Sequence, residues 1–443
     1  MWVKNERGGC RMLSAVLIFS VTSLAMILAV LLYPRLRLGR LTVDSYVAVT
    51  LLGAAAMLAL GVCDLGTVGA ALVSDSAVNP LKILVLFLSM TVLSVFLDEV
   101  GFFRYLAAGV LRRAHGGQRR LFLLLYVTVS VLTVFTSNDI VVLSFTPFIC
   151  YFAKNAGIDP MPYLAAEFVA ANTWSMMLII GNPTNIYLAT AAGIDFLTYL
   201  RVMLLPTALA GSVAFLVLYR LYHKKLGIRM AAEPESVPRP DGPLLSVGLV
   251  HLLLATLLLA VGAYVGLPMW VVALLAVLSL FLLTLVLSAV RRRPPRELYA
   301  CLARAPWQLI PFVLSMFVMI VVLSETGVTA LLASWLDPLP PVLSYGITSF
   351  LASNLVNNIP MSVLFSEILA VGNAGAGAVY ATVIGSNVGA FFTPLGALAG
   401  LMWSEILKGH GLAFGYRDFL KLGLTAAVPA LLSALFGLFL VLG

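Results

Sequence analysis

The sequence contains few charged residues: only 10% of its 443 positions are Asp, Glu, Lys or Arg. Soluble domains carry roughly 25% charged residues, so this scarcity excludes a soluble enzyme, a nucleic-acid-binding domain and a disordered protein. Cysteine is also scarce, and Cys10, Cys63, Cys150 and Cys301 lie far apart without a Cys-x-x-Cys pair. This spacing predicts neither a disulfide framework nor a zinc site, and we expect no metal and no cofactor.

Apolar residues make up most of the chain. Hydrophobic residues account for 61% of it, and its mean hydropathy is +1.05. These values predict an all-α polytopic membrane protein, because helices satisfy their own backbone polar groups in lipid. Runs long enough to cross about 30 Å of hydrocarbon are 14–33, 42–62, 81–98, 161–191, 196–222, 244–265, 268–290, 307–323, 375–408 and 416–441. No cleavage pattern follows the first run, so we expect it to remain as a span.

Four apolar stretches do not read as simple spans. Segments 161–191 and 375–408 are too long for one crossing and are interrupted by Gly, Pro and Asn, which predicts broken helices. Segments 120–155 and 340–371 carry polar clusters at their middles. We expect these two to be re-entrant hairpins that enter and leave the membrane on one side.

The distribution of basic residues predicts the orientation. Most of the 27 Lys and Arg residues fall in loops that this layout places on one side of the membrane. Because such loops mark the cytoplasm, we expect a multi-pass cell-membrane protein with both termini outside. The polar, Pro-rich segment 223–243 is then a cytoplasmic linker. The basic residues left on the outer side are Lys4, Arg7, Arg11, Lys82 and Arg201.

The two parts flanking this linker, 1–222 and 244–443, have the same predicted order of elements. Each reads as span, span, span, short helix, hairpin, broken span and span, and the third spans end at matching glutamates, Glu99 and Glu325. An odd number of crossings per half inverts the second half relative to the first. Matching interruptions in two inverted halves predict a transporter site near the membrane midplane.

The predicted site follows from the chemistry of broken helices. A break leaves backbone N–H and C=O groups unpaired, which is tolerable only beside protein or a water-filled cavity. Asn, Ser and Thr supply donors and acceptors there without a net charge. The predicted substrate-binding residues are Ser137, Asn138, Asn182, Thr184, Asn185, Asn357, Asn358, Ser386, Asn387 and Thr393. The residues predicted to break the helices are Gly181, Pro183, Pro360, Pro394 and Gly396.

Asp139 is the only acidic residue at the predicted tips and breaks, and no Lys or Arg occurs there. A multivalent anion usually requires a cationic partner, so a weakly charged or neutral oxygen-rich solute fits better than sulfate or phosphate. We interpret Asp139 as the carrier of a coupling proton or sodium ion, with a structural helix cap as the alternative.

At these residues the chain resembles the arsenite permease (ArsB) family of the ion transporter superfamily, over nearly its whole length. Residues 385–403 are similar to that family's last broken helix, with its Thr-Pro-x-Gly-x-Leu-Ala signature at 393–399. The sequence Asn-Asn-Ile-Pro at 357–360 resembles its second hairpin tip. Asn138 and Asp139, followed by Thr-Pro at 146–147, resemble its first tip.

The resemblance implies efflux of arsenite and antimonite, driven by the membrane potential or a proton gradient. It also implies a fixed scaffold, a moving hairpin domain, a homodimer and, in some members, a cytoplasmic ATPase partner. The sequence Gly-Asn-Pro-Thr-Asn at 181–185 instead looks like the Gly-Asp-Pro-Pro-Asn of sodium/proton antiporter relatives. A sodium/proton antiporter or a carboxylate carrier is therefore the alternative.

Two other classes are less consistent with the sequence. An intramembrane enzyme is not expected, because no His-Glu-x-x-His or Gly-x-Ser-x-Gly motif is present. An ion channel would not explain inverted broken helices built for alternating access.

Overall fold

The computed structural model describes residues 2–33, 35–38, 41–74, 79–227, 230 and 237–443. The predicted cytoplasmic linker 223–243 lies partly outside the described residues, at 228–229 and 231–236.

The described residues form helices and one short two-stranded ribbon. The part before the linker contains α1 (Trp2–Leu32), β1 (Arg35–Leu38), β2 (Leu41–Asp44), α2 (Ser45–Ala59), α3 (Leu65–Val73), α4 (Pro80–Glu99), α5 (Phe102–Arg113), α6 (Gln118–Phe135), α7 (Asn138–Ala156), α8 (Met161–Trp174), α9 (Pro183–Ala191) and α10 (Phe196–Tyr222). The part after it contains α11 (Gly242–Gly262), α12 (Met269–Val290), α13 (Arg296–Arg304), α14 (Leu309–Glu325), α15 (Val328–Leu336), α16 (Pro341–Val356), α17 (Asn358–Val371), α18 (Gly375–Gly389), α19 (Leu398–Gly409), α20 (Tyr416–Leu422) and α21 (Val428–Leu442).

The helical content confirms the prediction of an all-α polytopic membrane protein. Within the described residues, eight helical segments are long and apolar enough to cross a membrane. Helices α11 and α12 turn leucines such as Leu253, Leu257 and Leu282 outward, and each of these side chains is more than half exposed. Outward-facing leucine is unfavourable in water and favourable in hydrocarbon, so this surface fits a bilayer.

The predicted span 42–62 is wrong in extent. Helix α2 covers only Ser45–Ala59, which is shorter than the roughly 20 residues that a perpendicular crossing needs. Residues 42–44 instead pair with 35–37 in an antiparallel ribbon, in which Arg35 lies opposite Asp44. The β-branched pair Thr42 and Val43 favours this extended backbone, a local preference that the hydropathy of the run conceals.

The four predicted irregular segments are interrupted in the structure. Segment 120–155 forms α6 and α7 with a break at 136–137, and 340–371 forms α16 and α17 with a break at Asn357. Segments 161–191 and 375–408 are likewise divided, into α8 with α9 and α18 with α19.

Pro360 does not lie at a helix break, contrary to the prediction. It occupies the first turn of α17, where the backbone N–H is not needed for an intrahelical hydrogen bond, so the helix tolerates proline. The interruption lies at Asn357, whose φ of +73° and ψ of 153° lie outside both the helical and the αL regions. A non-glycine residue is strained in this conformation, so the contacts around the tip hold it there.

Helices α8 and α18 lie at the centre of the molecule. Residues 162–173 of α8 and 378–389 of α18 are all buried. Helix α18 approaches α16 closely because Gly385 and Gly389 present no side chain: a Cβ on Gly385 would lie 2.0 Å from the Ser349 Oγ. This close packing fixes the second hairpin against the second broken helix.

Candidate functional site

The side chain of Asn387, near the end of α18, contacts three polar residues from the other half of the chain. Its Nδ2 donates to Asn185 Oδ1 at 2.6 Å. Its Oδ1 accepts from Ser175 Oγ and from Asn182 Nδ2, each at 3.0 Å. All four side chains are at least 98% buried. The breaks of the two discontinuous helices therefore meet in one uncharged network.

The backbone around the first break explains how this network is positioned. Asn182 precedes Pro183, the first residue of α9, and its Oδ1 accepts from the backbone N–H and the hydroxyl of Thr184. Asn185 Nδ2 donates to the carbonyls of Ser175 and Leu178, both at the break between α8 and α9. Gly181 is needed because a Cβ there would lie 2.2 Å from the Ser175 carbonyl oxygen.

The tip of the first hairpin forms a second polar group. Asn138, the first residue of α7, donates from Nδ2 to Asn172 Oδ1 of α8 at 3.1 Å. The backbone N–H of Ser137 donates to Ser94 Oγ of α4 at 3.2 Å. The hairpin tip is thus hydrogen-bonded to both the broken helix and a long helix beside it.

The tip of the second hairpin packs against the link between α18 and α19. The Asn357 Nδ2 donates to the carbonyl of Leu395, and the backbone N–H of Asn358 donates to the carbonyl of Gly396 at 3.0 Å. Thr393 Oγ1 donates to Asn354 Oδ1 at 2.6 Å. Asn357, Asn358 and Thr393 therefore satisfy backbone and amide groups of the break, which Pro394 and Gly396 help to form.

Three polar atoms of the predicted site are buried without a hydrogen-bond partner among the described residues. They are Ser137 Oγ, Asn138 Oδ1 and Ser386 Oγ. An unsatisfied buried polar atom costs about 1–3 kcal/mol, so proteins retain one where a water or a ligand completes it. Two of these atoms lie at the first hairpin tip, which marks that tip as the better candidate for contact with a solute.

A cavity of about 800 Å³ leads towards the breaks. Asp139 of α7, Thr91 of α4 and Pro394 line it, which places the predicted coupling acid on a shared space with the second break. Its rim carries exposed residues of the ribbon and of α19, including Arg35 and Glu405. The cavity therefore connects the surface of the molecule with the hairpin tip.

Cationic side chains line this cavity, although none was predicted at the tips or breaks. Arg35 forms an ion pair with Glu405 at 3.2 Å. Arg304 of α13 pairs with Asp98 at 2.7 Å and contacts Glu99. Because acids already neutralise both arginines, these cations do not by themselves create a site for a multivalent anion.

The pair of Arg304 and Asp98 also reaches the first hairpin. Ser144 of α7 donates to Asp98 Oδ1 at 2.6 Å. A separate cavity of about 560 Å³ also borders this contact, lined by Ser144, Pro147 and Tyr151 of α7 and by Pro238 of the linker. Hairpin helix α7 is thus flanked by two cavities and bonded to the surrounding helices by a few polar contacts.

Four residues of these networks were not predicted: Ser94, Asn172, Ser175 and Asn354. Two of them had a signal in the sequence. Asn172 lies two residues before the end of α8, as Asn387 does in α18, so aligning the two breaks would have found it. Asn354 belongs to the same Asn-rich hairpin tip as Asn357. Ser94 and Ser175 gave no comparable signal, because single serines are common in apolar helices.

Comparison with known proteins connects this architecture to a family. The family model described as citrate transporter matches residues 43–382. The arsenical pump membrane protein of Escherichia coli (strain K12) is 29% identical over 368 residues, covering 78% of this chain and 83% of the relative. That of Yersinia enterocolitica is 27% identical over 369 residues, with the same two coverages. The resemblance to arsenite permeases is therefore confirmed.

A solved structure shares the fold. The YdaH transporter of Alcanivorax borkumensis, whose crystal structure is described as having an unusual topology, aligns with a TM-score of 0.54 over 98% of each chain. The sequence identity is 16%, so this likeness concerns the fold alone.

Proposed function

The chain belongs to the citrate transporter family, a family of membrane transporters, and on that premise we propose that it is a secondary active transporter exporting arsenite and antimonite. The observation that carries this proposal is the Asn387 network, in which two broken helices from different parts of the chain meet through uncharged side chains. Broken helices that meet at a polar centre are the usual structural basis of a transport site.

The chemistry of the site supports a neutral, oxygen-rich solute. Arsenite and antimonite are largely uncharged hydroxides at neutral pH, with hydroxyl groups that both donate and accept hydrogen bonds. The unpartnered Asn138 Oδ1 accepts only, whereas the hydroxyl of Ser137 donates or accepts. Such a pair suits a hydroxide better than a fully ionised anion, and weak binding permits release of the solute.

We further propose that residues 1–222 and 244–443 are inverted repeats joined by a cytoplasmic linker at 223–243. Both parts contain, in order, a helix ending in glutamate, a short helix, a hairpin, a broken helix and a long final helix. The packing is reciprocal as well, since α2 lies against α14 and α12 lies against α4. This arrangement supports alternating access around a shared centre.

Coupling is assigned in this proposal to Asp139, which lines the larger cavity beside the first hairpin tip. A proton gradient or the membrane potential supplies the driving force. Following the arsenite permease resemblance, the proposal includes a homodimer and, where one is encoded, a cytoplasmic ATPase partner.

Metalloid accumulation in cells tests the substrate. The protein is expressed in an arsenite-sensitive strain that lacks its own efflux system, alongside an Asn138→Ala variant present at the same level in the membrane. We expect the wild type to lower cellular arsenite and the variant to lose most of this effect, because its hairpin tip lacks the amide. Unchanged accumulation with wild-type protein in the membrane would rule out arsenite.

A carboxylate carrier is the second candidate, and one observation favours it. The matching family model is named for citrate transport, and Arg35 and Arg304 line the cavity. Release of either arginine from its acidic partner would provide a cation for a carboxylate. Saturable uptake of labelled citrate by proteoliposomes, lost in Arg304→Gln, would support this candidate, and sodium-dependent pH changes would favour an antiporter.

A further inference from the structure

Glu167 of α8 is a carboxyl group buried completely in the centre of the molecule, apart from the predicted site. No ion pair of Glu167 is found in the part of the chain that the structure describes. A buried carboxylate without a cation is strongly unfavourable, and such a group is normally neutral. Its presence in an apolar helix therefore requires a reason, because acids within membrane spans are costly and typically functional.

The hydrogen bonds of Thr146 connect Glu167 to hairpin helix α7. Thr146 Oγ1 lies 2.6 Å from the carbonyl oxygen of Val142, and it donates towards the two carboxyl oxygens of Glu167 at 3.1 and 3.2 Å. The two acceptors share the single proton of this hydroxyl, so the acid has only a weak donor on this side. Thr146 is thus the polar partner that hairpin helix α7 gives to Glu167.

Trp403 of α19 faces the same carboxyl group from the other half of the chain. Its indole N–H is fully buried and has no partner of normal hydrogen-bond geometry among the described residues. While Glu167 is protonated, leaving the Trp403 N–H without an acceptor costs free energy. When Glu167 loses its proton, the N–H is able to donate to the carboxylate, and this hydrogen bond stabilises the ionised form.

Among the described residues, the following other groups near Glu167 supply no positive charge. From α7, Cys150 is close enough to interact electrostatically with it. Of the remaining helices against α8, α6 and α10 contribute Tyr126 and Tyr199, whose hydroxyls donate to backbone carbonyls elsewhere. Tyr380 of α18 packs its ring against Tyr199.

We propose that Glu167 is an occluded proton-binding site that exchanges its proton during the transport cycle, in addition to the cavity acid Asp139. The inference rests on the proposed function as a transporter, and it names a proton as the coupling ion. The step is a simple transfer: a carboxylate oxygen takes a proton from water to form an O–H bond and later returns it. No other bond changes.

The surroundings of Trp403 show how this exchange is controlled. Its ring stacks on Phe168 at 4.7 Å between centroids and contacts Phe414 and Phe419 edge-on at 5.1 and 5.6 Å. Phe414 and Phe419 line the larger cavity, so aromatic rings separate Glu167 from the water there. Because Thr146 lies on hairpin helix α7, movement of this helix changes both the bonding and the water access of the acid.

Infrared difference spectroscopy of the purified full chain in lipid tests the proton site without any substrate. Wild-type protein titrated from acidic to alkaline pH is expected to lose the carbonyl band of a buried protonated acid. Glu167→Gln should lack this band, while Asp139→Asn retains it. Glu325→Gln is the matched control, because Glu325 is an exposed carboxyl group at the end of α14.

Trp403→Phe provides a second variant that keeps the aromatic packing and removes only the N–H. The ionised form of Glu167 then loses a donor, so the band should persist to higher pH than in the wild type. An unchanged midpoint would show that Trp403 does not stabilise the carboxylate. This result would overturn the inference that Trp403 stabilises the ionised form of Glu167, even if Glu167→Gln failed to fold.

Proton flux in proteoliposomes separates this inference from the proposed substrate. Arsenite-driven proton movement is expected in wild type and should be lost in Glu167→Gln. If the wild type shows the infrared band but no arsenite flux, arsenite is excluded as the substrate, and Glu167 is retained as a proton-binding site. A Glu167→Gln variant with the wild-type band, or with normal proton movement, would end the inference whatever solute is carried.

Discussion

At the scale of single residues, Asn387 links the two helix breaks through hydrogen bonds. A charged residue at the same place would cost more free energy to bury. A neutral amide is far less expensive to bury than an ion, provided that every polar atom finds a partner. Asn387 meets this condition with Ser175, Asn182 and Asn185. It therefore links the two breaks without a buried charge.

Replacing Asn387 should damage both stability and transport. Asn387→Ala leaves Asn185 Oδ1 and Asn182 Nδ2 buried without this partner, so we expect a loss of about 1–3 kcal/mol and a lower thermal unfolding temperature in detergent. Arsenite efflux should fall at least about tenfold, which corresponds to about 1.4 kcal/mol. Asn373→Ala is the control, because Asn373 is exposed. Equal melting and efflux in the two variants would contradict a role for the network.

The sequence predicted those site residues whose type alone implies a broken helix. Asn182 and Asn185 flank Pro183, and Asn357 adjoins a second amide, so the local pattern was sufficient. The surroundings of Glu167 could not be predicted in this way. Trp403 approaches it from α19, which is distant in sequence, and no local pattern contains that information.

At the scale of elements, the interruptions within the four irregular segments were predictable because each has a local cause. Proline removes a backbone donor, glycine weakens a helix, and asparagine favours turns, so clusters of these residues within an apolar run predict a break. The ribbon at 35–44 was missed for the opposite reason. Its cross-strand pairs, such as Leu36 with Val43, are visible only once the register is known, and residues 42–44 were assigned to the start of the following apolar run.

The close packing of α16 on α18 should depend on the glycines at their contact. A Cβ on Gly385 would lie 2.4 Å from the Gly346 carbonyl oxygen, so Gly385→Ala forces the helices apart. Overpacking of this kind costs about 1–3 kcal/mol, which thermal unfolding in detergent measures.

Gly377 provides the matched control in the same helix. A Cβ there would meet its nearest neighbour at 3.4 Å, an ordinary contact, so Gly377→Ala should be neutral or stabilising by up to about 1 kcal/mol. A lower melting temperature for Gly377→Ala than for Gly385→Ala would show that backbone approach does not limit this interface.

At the scale of the whole molecule, both cavities open where basic residues gather. Arg35, Arg304 and Lys408 line the larger cavity, and Arg104 lines the smaller one beside Pro238. Concentrated positive charge marks the cytoplasmic side of a membrane protein. We therefore expect the larger cavity to open to the cytoplasm in this conformation.

Cysteine labelling tests this orientation and the inverted repeat together. In a variant without the four native cysteines, Ser404→Cys places a thiol on the larger cavity, and Asn373→Cys places one in the loop between α17 and α18. A membrane-impermeant maleimide should label Ser404→Cys only in inside-out vesicles and Asn373→Cys only in intact cells. The reverse result would invert the orientation. Labelling of both thiols from one side would contradict the inverted repeat, because the second hairpin would then open towards the same compartment as the first.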